Sequence, residues 1–150
     1  MKTLSKIVAL CMLLTFTYPS NAQVTAMASR PAVFSNFSSN ITATAVELDK
    51  SFTAKTGSAI QLNFGNNFSF TGTVLSSVQK YKNLKSVIIK SPFFKDALLS
   101  ISRRIDDDNT VTYVGRILNE NSTDGYQLVK DKSGKYSFNK IKTADLIQDF

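Results

Sequence analysis

Two runs of strict alternation on either side of one acidic cluster limit this chain more than any other feature. From Ala97 to Ile105, Leu99, Ile101, Arg103 and Ile105 alternate with Leu98, Ser100, Ser102 and Arg104. After Asp106-Asp107-Asp108-Asn109, the residues Val111, Tyr113, Gly115 and Ile117 alternate with Thr112, Val114, Arg116 and Leu118. A repeat of two on both sides of a turn-forming cluster predicts an antiparallel hairpin. A slip of one residue would set the apolar face of one strand against the polar face of the other. The register that matches faces pairs Ile105 with Val111, Arg103 with Tyr113, Ile101 with Gly115 and Leu99 with Ile117. Asp106 to Thr110 is then a five-residue loop, a usual hairpin length.

A second hairpin is expected from the same parity. Leu128 pairs with Phe138 and Lys130 with Tyr136, across the loop Asp131-Lys132-Ser133-Gly134-Lys135. Gly134 supplies the positive φ that such a loop needs. Upstream, Ile60, Leu62 and Phe64 form one alternating run, and Gly65-Asn66-Asn67 turns the chain. Phe68, Phe70, Gly72, Val74 and Val78 are expected on one face of the next run, with Ser69, Thr71, Thr73 and Leu75 on the other. Gly72 in mid-strand predicts a bulge or a close approach of a neighbouring backbone. Val87-Ile88-Ile89 is apolar on both faces, as in a central strand. Ala45, Leu48 and Phe52 have helical spacing, with Glu47 and Asp49 near the start, and predict a short helix. Thr143 is placed to cap a second short helix over Ala144 to Asp149, whose apolar residues would cover an open end of the sheet. The expected fold is mainly β: an antiparallel meander of about seven strands curled into a barrel or roll, with short edge helices. An α+β sheet covered by helices is the alternative.

The first 22 residues have the features of a secretory signal. Lys2 and Lys6 precede a short apolar run from Ile7 to Phe16, and Ser20 and Ala22 are the small residues a signal peptidase reads. About 10 apolar residues fall short of the roughly 20 that span a bilayer, so no transmembrane anchor is expected. Cys11 lies inside the apolar run behind Leu10, which disfavours lipidation. Residues 23–44, rich in Ser, Ala, Thr and Asn, read as a flexible N-terminal arm, and 45–150 as a single domain. Sequons begin at Asn36, Asn40, Asn67 and Asn121, a number expected by chance in a chain with this much Asn, Ser and Thr.

Loss of the leader removes the single cysteine and lowers the 18 basic residues to 16 against 11 acidic ones, a net +5. The whole chain has no histidine. A Ser-His-Asp triad, a thiol nucleophile and a zinc site of the usual ligands are therefore excluded. Acid–base chemistry would fall to carboxylates, Lys or Tyr, so no enzyme and no cofactor is expected.

Short stretches of the sequence carry a resemblance. These are the leader ending Asn21-Ala22-Gln23, Phe68-Ser69-Phe70-Thr71-Gly72-Thr73-Val74, and Tyr113-Val114-Gly115-Arg116-Ile117-Leu118. Asp124-Gly125-Tyr126-Gln127-Leu128 and Tyr136-Ser137-Phe138-Asn139-Lys140-Ile141 continue it. In these the chain resembles uncharacterised small exported proteins of Bacteroidetes. The resemblance implies a periplasmic or extracellular location and contributes no site residues.

The candidate binding surface is the outer face of the central hairpin. Arg104 and Arg116 share that face about four residues apart, or about 13 Å at roughly 3.3 Å per residue. Lys85 and Lys90 lie on a neighbouring segment, with Lys95 beyond. Such spacing suits two anionic groups of an envelope polymer. The competing reading is a set of solubilising charges on an ordinary exposed face. Arg103 has the opposite parity and is expected to lie along apolar surface with its head at the rim, next to Tyr113. Asp106-Asp107-Asp108-Asn109 lacks the ligand spacing of a calcium loop, and adjacent carboxylates on one tip cannot flank a sugar from two sides. Pro92-Phe93-Phe94 is either an exposed aromatic patch or a buried lead into the following strand. No recognised nucleic-acid module is present, so nucleic acid is disfavoured as a partner. The function expected is an exported, non-enzymatic binding module. The alternative is an inhibitory or chaperone-like domain that meets an exported protein partner, such as a protease, through an edge strand or the arm.

Overall fold

The computed structural model describes residues 30–146; the leader, residues 23–29 of the expected arm and residues 147–150 lie outside it. Eight antiparallel strands form one sheet: β1 Asn40–Ala43, β2 Ala59–Asn63, β3 Ser69–Tyr81, β4 Leu84–Ser91, β5 Ala97–Ile105, β6 Val111–Leu118, β7 Asp124–Lys130 and β8 Tyr136–Lys142. Their order is β1-β8-β7-β6-β5-β4-β3-β2, a meander from β2 to β8 with β1 added beyond β8. The sheet curls through 235° into a half-barrel. Its inner face holds one continuous core that includes Leu62, Phe70, Ile89, Leu99, Ile117 and Phe138.

Both hairpins have the register that face-matching requires. Ile105 faces Val111, Arg103 faces Tyr113, Ile101 faces Gly115 and Leu99 faces Ile117. Leu128 faces Phe138, and Lys130 faces Tyr136. The two five-residue loops share one construction. The first residue's N–H donates to the fifth residue's carbonyl, 2.9 Å in each, and the fourth residue is left-handed: Asn109 at φ 64° and Gly134 at φ 84°. Asparagine and glycine are the residues that tolerate this conformation.

Gly72 is a site of close backbone approach. A Cβ there would run into the carbonyl of Lys90 on β4. Two residues later the ladder slips between Val74 and Ser76, which leaves Leu75 as an extra residue on β3. Such a bulge reverses the parity of the strand beyond it. Val78 therefore points outward, opposite Ser86, and not to the inner face as the uninterrupted alternation predicts.

The expected arm is corrected by the structure from residue 30 onward. β1 pairs with β8 from Asn40↔Asn139 to Ala43↔Tyr136, which gives the eighth strand. Ahead of it, Phe34 is fully buried and Phe37 partly so. Phe34 meets Phe94 and Tyr126, each at 5.4 Å between ring centroids, and Phe37 stands edge-on to Phe68 at 5.2 Å. Polar side chains hold this segment by its backbone. Asp124 accepts from Phe34 N–H at 3.1 Å, and the Ser122 hydroxyl accepts from Val33 N–H at 3.1 Å. Lys140 Nζ donates to the carbonyls of Phe34 and Phe37, both at 2.7 Å, and the Tyr126 hydroxyl donates to Ser38 O at 2.7 Å. Anchors drawn from distant positions are invisible to local composition, which is why the segment reads as unstructured in sequence.

The helix α1, Ala45–Lys50, comes directly after β1. The Thr44 hydroxyl caps it by accepting from Glu47 N–H. Its buried face is Leu48, continued by Phe52. The helix bridges the two edge strands: Glu47 Oε1 accepts from Asn63 N–H of β2 at 2.7 Å. On the β1 side, Gly65 N–H donates to Thr42 O and the Asn66 side chain to Asn40 O, at 2.8 and 2.7 Å. Both free edges are thus covered where they are bonded, as stable sheets require. At the other end of the chain, Thr143–Leu146 forms a 3-10 turn, the described part of the second predicted helix.

Candidate binding face

Cross-strand pairing places the predicted cations on the sheet. Arg104 faces Thr112 and Arg116 faces Ser100, so both stand on the outer face four positions apart along the hairpin. Lys90, opposite Leu98, shares that face. Lys85 does not. It lies opposite Arg103 with the parity of the buried Val87, and its Nζ donates to Phe52 O at 2.8 Å beyond the end of α1. The bulge in β3 leaves β4 unbroken, so Lys85 obeys the plain alternation of that strand.

The remaining three differ in how their charge is met. Arg104 Nε is 2.8 Å from Asp106 Oδ1 at the hairpin tip, and Lys90 Nζ is 3.4 Å from Asp96 Oδ2. Arg116 is exposed and has no carboxylate partner among the described residues. Arg103 faces the inner side. Its guanidinium lies 5.0 Å from the centre of the Phe52 ring and donates to Asp49 Oδ1 at 2.9 Å. The ring beneath it therefore comes from the segment after α1 rather than from the adjacent Tyr113. Burial, and then the Asp49 carboxylate, push the Tyr113 phenol above the ordinary tyrosine range.

The surroundings of Arg116 arise from a local split in the sheet. β6 and β7 share register at Arg116↔Gln127 and Ile117↔Tyr126 alone. They are drawn together below this point at Gly125, where a Cβ would come 2.7 Å from the carbonyl of Ile117. Above it they part, and the Tyr136 hydroxyl from β8 accepts the Tyr113 N–H at 3.1 Å. The result is a shallow cleft of about 590 Å³, lined by Leu98, Ser100, Val114, Arg116, Leu118 and Gln127 among others. Val114 is 60% exposed and Leu98 40%. These apolar residues occupy outward positions that an ordinary solvated strand fills with polar ones. Sequence reasoning assigned them to the outer set without using that anomaly. Gln127 was missed because the pairing of β6 with β7 is short and has no hairpin register to fix it.

The other candidates resolve simply. The loop Asp106–Thr110 is a hydrogen-bonded hairpin tip, and the Thr110 amide holds the Asp108 carboxyl below its ordinary range. No cluster of metal-ligating side chains occurs among the described residues. Pro92–Phe94 is a 3-10 turn in which the two phenylalanines part company. Phe94 stacks on Phe68 and Phe70, at 5.4 and 5.7 Å, while Phe93 is exposed. Compared with family models, with characterised proteins and with solved structures, the chain matches none of them.

Proposed function

We propose that the chain is an exported, non-enzymatic binding module that meets its partner on the outer face of β5–β7, around Arg116. One observation carries this reading: Arg116 stands without a carboxylate among the described residues, in a cleft bordered by exposed aliphatic side chains, while its neighbours Arg104 and Lys90 are each ion-paired. An arginine beside apolar surface is a common composition for the centre of an interface. Export is supported by the leader-like first 22 residues, and the non-enzymatic reading by the lack of histidine.

A polyanion is a poorer fit for this face. Affinity for a polyanion grows with the number of cations it neutralises. Of the outward cations that β5–β7 carry, Arg116 alone lacks a carboxylate among the described residues, while Lys90 on β4 is ion-paired and Lys85 faces inward. An edge-strand partner is also disfavoured, because the contacts of Glu47, Gly65 and Asn66 already occupy parts of both edges. The test is a photo-crosslinking residue introduced at Val114, compared with one at Thr71 on the outer face of β3, in cells that export the protein. Adducts confined to position 114 are expected; equal labelling at both positions, or none, would overturn the reading.

A further inference from the structure

Resting on the binding face proposed above, we infer that its ligand is an extended acidic peptide segment of the pattern apolar-x-acid-x-apolar, lying along β6 with its carboxylate on Arg116. The outward side chains of β6 run Val114, Arg116, Leu118. Along a strand, same-face side chains repeat every two residues, roughly 6.6 Å. An extended peptide has the same repeat. A carboxylate seated on Arg116 therefore brings the side chains two before and two after it over Val114 and Leu118.

Charge decides the central position. Arg104, Arg103 and Lys90 each have a carboxylate within 3.4 Å. The ligand supplies the one that Arg116 lacks, in the two-pronged geometry that arginine favours. Gln127, directly across from Arg116, offers an amide to the same carboxylate or to the peptide backbone. Leu98 broadens the apolar position at Leu118, its cross-strand partner. The Tyr136 hydroxyl already takes the Tyr113 N–H inside the split. The peptide therefore lies over the cleft and is read by side chains, and it does not enter the ladder as a ninth strand.

The experiment titrates the ¹⁵N-labelled chain with acetyl-Ser-Val-Ser-Glu-Ser-Leu-Ser-amide and monitors amide shifts by NMR. Saturable shifts centred on Val114, Arg116, Leu118 and Gln127 are expected. Replacing the peptide's glutamate with glutamine should weaken binding about tenfold, the scale of one charge-assisted contact. Arg116→Glu should abolish binding of the acidic peptide and restore it for the peptide carrying lysine in place of glutamate, which also shows that the variant is folded. Lys132→Glu, on the β7–β8 loop away from the face, should leave the titration unchanged. Equal binding of the glutamine peptide, shifts centred elsewhere, or tighter binding of a sulfated dextran oligomer at Arg116 would each overturn the inference. If the peptide fails while crosslinking at position 114 persists, the peptide class is wrong and the binding face stands. If both fail, the face is wrong as well.

Discussion

Tyr126 shows how much one buried polar atom does in this fold. Its ring is fully buried against Phe34 and Phe68, and its hydroxyl holds Ser38 O. Burial, and then the charge of Asp124, push its phenol up to about 12. The unfolded chain gives up that proton near pH 10, whereas the folded chain keeps it until about 12. The stability present below pH 10 is therefore lost as pH climbs from 10 towards 12. Tyr126→Phe should cost about 1 kcal/mol at neutral pH from the lost hydrogen bond and make the alkaline decline shallower, measured by urea unfolding at pH 8 and pH 11. Gly72 is a residue of the opposite kind, required for what it lacks. Gly72→Ala sets a methyl against the Lys90 carbonyl and should cost about 1–3 kcal/mol in the same assay, with Gly57→Ala no guide to it because Gly57 has open space but a positive φ.

Among the elements, the hairpins and the N-terminal segment are stabilised in different ways. A hairpin carries its own instructions: alternation sets the faces, and Asn109 or Gly134 sets the turn. The segment from Arg30 to Ser39 depends on residues about 90 to 106 positions away, chiefly Ser122, Asp124 and Lys140. Asp124→Ala would strip acceptors from Phe34 N–H and from the Ser122 hydroxyl, a loss of about 1–3 kcal/mol. Hydrogen exchange should locate that loss, with faster exchange at the Phe34 amide and little change at the β5–β6 ladder. Uniform acceleration throughout the sheet would mean that the segment and the sheet unfold as one unit.

For the molecule as a whole, net charge and binding surface are separate properties. The chain carries a formal +7, yet two of the three outward cations of the predicted face are paired with aspartates. Retention on a sulfated resin should therefore depend on total charge. Arg104→Glu, Arg116→Glu and Lys132→Glu should lower the eluting salt concentration by similar amounts. A much larger drop for the two arginine variants would identify a true polyanion site, since each cation on the contact surface steepens the salt dependence.

Much of this protein was legible in its residues. Period-two alternation names the faces, and turn chemistry between matched runs leaves one register that buries both. Both hairpins, the close approach at Gly72 and the shared face of Arg104 and Arg116 come from those local rules. Tertiary structure decided what local rules cannot reach. The bulge at Leu75 reverses the facing of Val78, and β1 at Asn40–Ala43 finds β8 at Tyr136–Asn139, about two thirds of the chain away. The parting of β6 from β7 is what opens a cleft beside Arg116. Alternation fixes on which side of a strand a residue stands, because the pleat repeats every two residues. Which strand, loop or carboxylate then lies beside that residue depends on how the sheet curls, and that is set only when the whole core closes.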